Sequence, residues 1–194
     1  MKYILVLCGM SASGKDTILK MLDPLFERLV SHTTRPQRPN EVNGYDYHFV
    51  TKDDFIPMFL QGEIIEDRIY NTIQDGKPAT WYYGLHKNEL RKSANDYMVI
   101  LDYQGTKQLI NEVDENTKVI VAYIDASDEK RLERVTKRGV EIAEFERREI
   151  ADKASFEGCK EFANIVVDNN EDEKIREQVI RMVAKYYKWR KIYA

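Results

Sequence analysis

The chain has 194 residues, 43% of them apolar and 32% charged, with a formal net charge of -3. That length suits one domain with small inserted lobes, and the apolar share is enough for a core beneath a well-solvated surface. The lack of a basic excess argues against a nucleic-acid partner, and no apolar run approaches membrane-spanning length.

The first apolar run, Tyr3–Cys8, reads as a buried strand. It leads through Gly9-Met10-Ser11-Ala12-Ser13-Gly14-Lys15-Asp16-Thr17 into a helical pattern over Lys15–Leu22, closed by Pro24. Strand, glycine loop and helix start, in that order, make a phosphate-binding loop. The glycines let the backbone wrap an anion with its N–H groups pointing inward, and the helix adds its positive end. Ser11, Ala12, Ser13, Gly14, Lys15, Asp16 and Thr17 are therefore assigned to the phosphates, with Lys15 reaching the outer ones. The position after the lysine usually carries Ser or Thr as a metal ligand, but here it is Asp16. Thr17, about 100° further round the helix, cannot take that place.

The opening stretch is too short for a secretory apolar region and flows straight into the loop, so a cytoplasmic protein is expected. Cys8 and Cys159 lie far apart in sequence and read as buried free thiols rather than a disulfide or metal site.

From Ser31 to about Leu85 the pattern changes. Pro36, Pro39 and Gly44 are followed by strand-like pieces at Tyr47–Val50 and Ile64–Arg68 and a small helix over Asp53–Leu60 closed by Gly62. Asn71–Thr80 is polar, carries Gly76 and Pro78, and predicts a loop or hairpin. This is a small lobe inserted into the core, of the kind that closes on a second substrate. Within it Arg35 and Arg38 supply fork donors and Tyr47 a hydroxyl, which is equipment for a phosphate monoester.

Beyond the lobe, strands at Tyr97–Leu101, Val119–Ile124 and Ile165–Val167 alternate with helices at Gln104–Val113, Asp128–Lys137, Glu144–Glu157 and Glu171–Tyr187. The alternation predicts an α/β fold, a parallel central sheet flanked by helices. The aromatic, basic tail from Tyr186 to Tyr193 continues the apolar face of Ile175, Val179, Met182 and Val183 and reads as core packing. A dimer contact is the alternative, so monomer and homodimer both stay open. His32, His48 and His86 show no metal-ligand spacing.

The run Ser31-His32-Thr33-Thr34-Arg35 through Phe49, with the phosphate loop, closely resembles the guanylate kinase family, P-loop enzymes that move a phosphoryl group from ATP to GMP. The resemblance extends from about residue 3 to about residue 170. It implies one such domain over residues 1–194, with a core of 1–30 and 86–194, a monophosphate-binding lobe at about 31–85 and a lid at about 138–158. It also implies roles. Ser31 would touch guanine, Arg35 the transferring and acceptor phosphates, and Arg38 and Tyr47 the GMP phosphate. Ile64-Ile65-Glu66 is similar to the family's Phe-x-Glu, which puts a guanine-reading carboxylate on Glu66. Tyr82-Tyr83-Gly84 matches a Tyr-Tyr-Gly motif, with Tyr83 on the acceptor phosphate. Ile100-Leu101-Asp102-Tyr103-Gln104-Gly105 resembles the segment whose aspartate, here Asp102, also reads guanine. A carboxylate accepts from guanine N1–H and the 2-amino group together, and adenine offers no such pair.

Arg138-Gly139 and Arg147-Arg148 resemble the lid arginines, which makes Arg138 and Arg148, with Lys15 and Arg35, the catalytic cations. Asp168-Asn169-Asn170 falls where the family meets the adenine of ATP. The resemblance thus implies ATP with magnesium (Mg2+) as donor and GMP or dGMP as acceptor. Three departures stand out: Ile100 replaces a metal-side acid, Leu85 replaces a Ser or Thr, and the loop before Tyr82 is longer. We expect Asp16 to act as the metal ligand that compensates for Ile100. The alternatives are the same fold acting on another nucleotide or a sugar phosphate, or a non-catalytic binding module.

Overall fold

The structure, a computed structural model, describes residues 1–74, 77–92, 96–139 and 142–193. In chain order, β1 (Lys2–Cys8) passes through the glycine loop into α1 (Lys15–Leu22) and a short β2 (Glu27–Arg28). The lobe follows, with β3 (His32–Thr33), β4 (His48–Phe49), α2 (Lys52–Leu60), β5 (Ile64–Gln74) and β6 (Lys77–His86). The chain returns through β7 (Asp96–Ile100), α3 (Tyr103–Glu112), β8 (Thr117–Asp125) and α4 (Asp128–Lys137). It ends with α5 (Ile142–Ser155), α6 (Cys159–Phe162), β9 (Ile165–Asp168) and α7 (Ile175–Tyr193).

The main sheet is parallel, in the order β2-β7-β1-β8-β9. β1 is its central strand, and Tyr3 to Cys8 are all buried, as a parallel strand covered on both faces must be. Alternate residues serve two layers. Tyr3, Leu5 and Leu7 pack on Ile18 and Leu22 of α1 and on Val179, Met182 and Tyr186 of α7. Ile4 and Val6 face Tyr97, Val99 and Leu109 of α3 on the other side. The chain pairs β1 with β7 on one flank and β8 on the other, so the order reverses at β1. A crevice opens there beyond the carboxyl ends of the strands, where ligands bind in open α/β sheets.

The second sheet, β4-β3-β6-β5, forms the lobe. Its long arm is the β5–β6 hairpin, paired from Ile64↔His86 to Gln74↔Lys77. The polar stretch over Asn71–Thr80 is therefore the outer half of this hairpin, and β5 continues well past Arg68. A hairpin is one of the two forms the composition predicts there; what the polar residues hid is how far β5 runs, its backbone paired with β6 rather than buried. Thr51 and Asp54 cap α2 reciprocally. His32, His48 and His86 converge, with ring centroids 4.6 and 5.6 Å apart. Burial and the neighbouring His48 and His86 rings hold His32 down to about 4.

α1 and α4 keep their expected bounds, α2 and α3 shift by one residue, α5 spans Ile142–Ser155 rather than Glu144–Glu157, and α7 differs most. α7 starts at Ile175 after a tight turn over Asp172–Lys174, and it runs on to Tyr193. α6, a single turn opening at Cys159, was not expected. Among the described residues no helix is long and apolar enough to cross a membrane.

Of the tail, Tyr186 is core and Trp189 packs partly against it, whereas Tyr187, Lys188, Lys191 and Ile192 are exposed. The Tyr186 ring meets Phe26 edge-on at 4.9 Å, and its hydroxyl donates to Asp96 Oδ1 at 2.6 Å. Arg190 holds the other carboxylate oxygen at 2.8 Å. Tyr186→Phe removes a buried bond to a charged acceptor and should cost about 1.5–3 kcal/mol. A fall in the urea midpoint with an unchanged slope checks this.

Candidate active site

The glycine loop is fixed from behind. Gly14 adopts the left-handed region (φ 102°), and a side chain there would meet Asn169 Nδ2 at 2.3 Å. That amide donates to Ser13 O at 2.7 Å. Arg134 donates to the carbonyls of Ala12, Ser13 and Asn169 at 3.3, 3.1 and 2.8 Å, and is itself paired to Asp172 at 2.6 Å. Arg131, fully buried, donates to Ser11 O at 3.3 Å and pairs with Asp128 and Glu149 at 2.8 and 2.6 Å. Three outward-facing carbonyls are thereby satisfied by α4 and by the residue after β9; of the loop's amides, that of Ser13 donates to Met10 O at 3.2 Å and that of Ser11 faces α5.

Lys15 Nζ folds over the loop and donates to Gly9 O at 2.6 Å and Met10 O at 2.9 Å. Burial pulls its ammonium down, while the Asp16 and Asp152 carboxylates push it back up. Asp16 and Thr17 are exposed on the first turn of α1. The Ser11 N–H donates to Asp152 Oδ2 of α5 at 2.6 Å, so a carboxylate oxygen sits in the anion cradle.

Opposite the loop lies a cleft of about 500 Å³ that brings together Ser11, Lys15, Ser31, Arg38, Tyr47, Glu66, Tyr83 and Asp102. These come from the loop, the start of the lobe, the β5–β6 hairpin and the end of β7. Ala12, Ser13, Gly14, Asp16, Thr17, Arg35 and Arg138 do not line it. Arg35 is buried behind the tyrosines. Its fork is bound to Glu41 at 2.7 and 3.0 Å, and its guanidinium carbon is 5.5 Å from the Tyr47 ring centre. Arg38 is the more available cation, with only a 3.8 Å approach to Glu41. Arg138 closes α4 and is exposed. Arg148 lies in α5, and its side chain falls outside the described residues. Arg147 lines the cleft, donating to the Tyr70 hydroxyl at 2.6 Å.

The two carboxylates lie at the floor. Glu66 is 3% exposed, and burial, then the charges of Asp102 and Asp67, push it up to about 8 despite Arg68. Gly105 makes room for it, since a side chain there would meet Glu66 Oε2 at 2.8 Å. Asp102 caps α3 by accepting from Gly105 N at 2.8 Å, and its other oxygen meets Arg68. Ile100 and Leu101 complete the floor.

Sequence reasoning missed Glu41, Arg68, Arg131, Arg134 and Asp152. Arg131 and Arg134 hold the loop's own backbone. Their three-residue spacing, which sets them on one helix face, was the available signal. Asn169, expected near adenine, braces Ser13 from beneath.

A family model described as Guanylate kinase matches residues 1–186. The chain belongs to the guanylate kinase family. Curated guanylate kinases from Nocardia farcinica and Paramagnetospirillum magneticum are 31% and 33% identical to it over 185 and 181 residues. The alignments cover 92% of both chains in the first case, and 89% of this chain and 79% of the relative in the second. The crystal structure of guanylate kinase from Anaplasma phagocytophilum superposes with a TM-score of 0.65 at 25% identity, covering 93% of this chain and 82% of that one. The P-loop α/β architecture is thus that of the family.

Glu66 is protonated more readily folded than unfolded, because about 8 lies above its ordinary 4.5. The stability it contributes is full below pH 4.5 and fades as pH rises through 8. Glu66→Gln should flatten this decline between pH 6 and 9 in urea titrations, with its largest gain over the parent at the alkaline end.

Proposed function

We propose that the protein transfers the terminal phosphoryl group of ATP to GMP or dGMP, giving ADP and GDP or dGDP. One observation carries this reading: a single cleft holds the phosphate loop's Lys15 and Ser11 on one wall and the monoester equipment Arg38, Tyr47 and Tyr83 on the other, over two carboxylates. The first wall suits a polyphosphate, the second a monophosphate, and the floor a base that offers adjacent N–H donors.

In this reading ATP phosphates displace the Asp152 carboxylate from the Ser11 amide and draw Lys15 from its own carbonyls. Arg38, Tyr47 and Tyr83 hold the acceptor phosphate. Arg35 joins them once its pair with Glu41 loosens, and Ser31, Glu66 and Asp102 read the base. Asp102 keeps acceptor capacity beyond Gly105 and Arg68 because a carboxylate offers about four lone-pair sites. Phosphoryl transfer needs positioning and charge stabilisation rather than covalent help. Lys15, with Arg138 and Arg148 brought in by lid closure, meets the developing charge. Closure of the lobe at 31–85 and the lid at 138–158 over the core excludes water. We assign the protein to the cytoplasm, as monomer or homodimer, acting on nucleotides rather than nucleic acid or membrane.

The donor set fits magnesium brought in with the nucleotide. Among the described residues no group of three or more His, Cys, Asp or Glu forms a cage, and magnesium is commonly held by one or two carboxylates plus phosphates. Asp16, exposed at the start of α1, is the carboxylate we assign to it. Bound magnesium would neutralise phosphate charge. Asp16→Ala should lower transfer at limiting magnesium on the order of tenfold and recover with excess. Activity equal to the parent at limiting magnesium would exclude the assignment.

Base reading through Glu66 carries a proton signature. The carboxylate must be ionised to accept from N1–H and the 2-amino group, and Glu66 sits at about 8. GMP binding near neutrality should therefore release a proton, and affinity should rise with pH until Glu66 is ionised. Calorimetry in buffers of different ionisation enthalpy reads the proton, and AMP should release none. A monophosphate panel in a coupled ADP assay tests the reading as a whole: turnover should be fastest with GMP or dGMP, and no turnover with any member would refute it.

A further inference from the structure

Cys8 and Cys159, the chain's two cysteines, are separated by 151 positions yet meet in the core with their sulfurs 2.9 Å apart. Both are fully buried. Cys8 is the last residue of β1, immediately before Gly9 of the phosphate loop, and Cys159 opens α6 four residues after the lid helix α5. Val121, Tyr123, Tyr103, Phe156 and Ala163 surround them. An apolar shell with two sulfurs offers half of a zinc ligand set, and no larger metal-binding group occurs among the described residues.

We propose that Cys8 and Cys159 form a reversible intrachain disulfide under hydroperoxide, and that this bond perturbs the phosphate loop. The sulfurs need to close by only about 0.9 Å to reach bonding distance. Each sulfur's hydrogen-bonding contact is the other. We take Cys159, at the start of α6, as the attacking group, since the contact with Cys8 pulls its thiol down.

The chemistry balances in two steps. The Cys159 thiolate attacks the outer oxygen of the hydroperoxide. An S–O bond forms, the O–O bond breaks, and the alkoxide leaves with the proton Cys159 gave up, as an alcohol. Cys8 then attacks the sulfenic sulfur. The S–S bond forms, the S–O bond breaks, and hydroxide leaves with the proton of Cys8, as water. Two thiols and one hydroperoxide become a disulfide, an alcohol and water, and a dithiol reductant reverses the sum. Transient redox-sensing bonds of this kind are the form disulfides take in reducing compartments.

The link to function is short. Gly9, next to Cys8, supplies a carbonyl to Lys15 Nζ at 2.6 Å. Drawing Cys8 toward α6 therefore shifts the group that seats the loop lysine. The functional arm rests on the phosphoryl-transfer reading, whereas the bond-forming arm does not.

The test treats the full chain with tert-butyl hydroperoxide. Intact mass should fall by two hydrogens, a non-reduced peptide map should join Cys8 to Cys159, and dithiothreitol should reverse both. The oxidised form should show at least a threefold higher KM for ATP with an unchanged KM for GMP. Cys159→Ala and, independently, Cys8→Ala should keep the parent's reduced-state kinetics and lose the peroxide response. Disulfides between chains, overoxidation of one cysteine without a link, or two alkylatable thiols after treatment would overturn the bond. A linked protein with an unchanged KM for ATP would overturn the coupling to the loop. If the bond forms while no monophosphate is turned over at all, the enzymatic reading fails and the modification site stands.

Discussion

The structure depends on a backbone constraint: the loop between β1 and α1 must present its amides inward, so its carbonyls must be satisfied outward. Unpaired buried carbonyls are costly, and this chain commits two arginines and an asparagine to them. Arg131 takes Ser11 O, Arg134 takes Ala12 O and Ser13 O, and Asn169 takes Ser13 O again. The loop is thus held by α4 and by the residue that follows β9, elements over 100 positions away in sequence. Its position over β1, the most buried strand, follows from the sheet order. With that cradle rigid, the cleft geometry follows from where β7 ends and where the lobe attaches.

Charge in and behind the cleft is arranged in opposed pairs. Arg35 is neutralised by Glu41, Asp102 by Arg68, and the Ser11 amide holds Asp152. On Arg35 and the Ser11 amide a carboxylate occupies donors that a phosphate would take, and on Asp102 a guanidinium occupies an acceptor that the donor edge of a base would take. Binding then exchanges one set of charge-assisted contacts for another. Glu66 is different, because no cation neutralises it well enough to offset its burial, and it sits near 8. Strained or mismatched groups of this kind concentrate at functional sites.

Much of this was legible in the sequence, and the reasons are local. The loop announces itself because glycines, strand and helix are contiguous, and α1 and α4 were bounded correctly from periodicity. The lobe's Arg35, Arg38 and Tyr47 were visible because they lie within one run. What the sequence hid was pairing across distance. Nothing local says that Arg134 serves the carbonyls of Ala12 and Ser13, that Glu41 occupies the fork of Arg35, or that Cys8 touches Cys159. The outer length of β5 was obscured because its residues are polar, and β2 and α6 were too short to carry a period.

The central claim is that both cradles serve one reaction space. A single compound joining adenosine to guanosine through five phosphates tests it directly, by equilibrium binding and by competition. The account predicts that it binds more tightly than ATP or GMP alone and displaces both at once. If it displaced only one nucleotide, leaving the other's affinity untouched, the two cradles would not face a common space and the account would be contradicted.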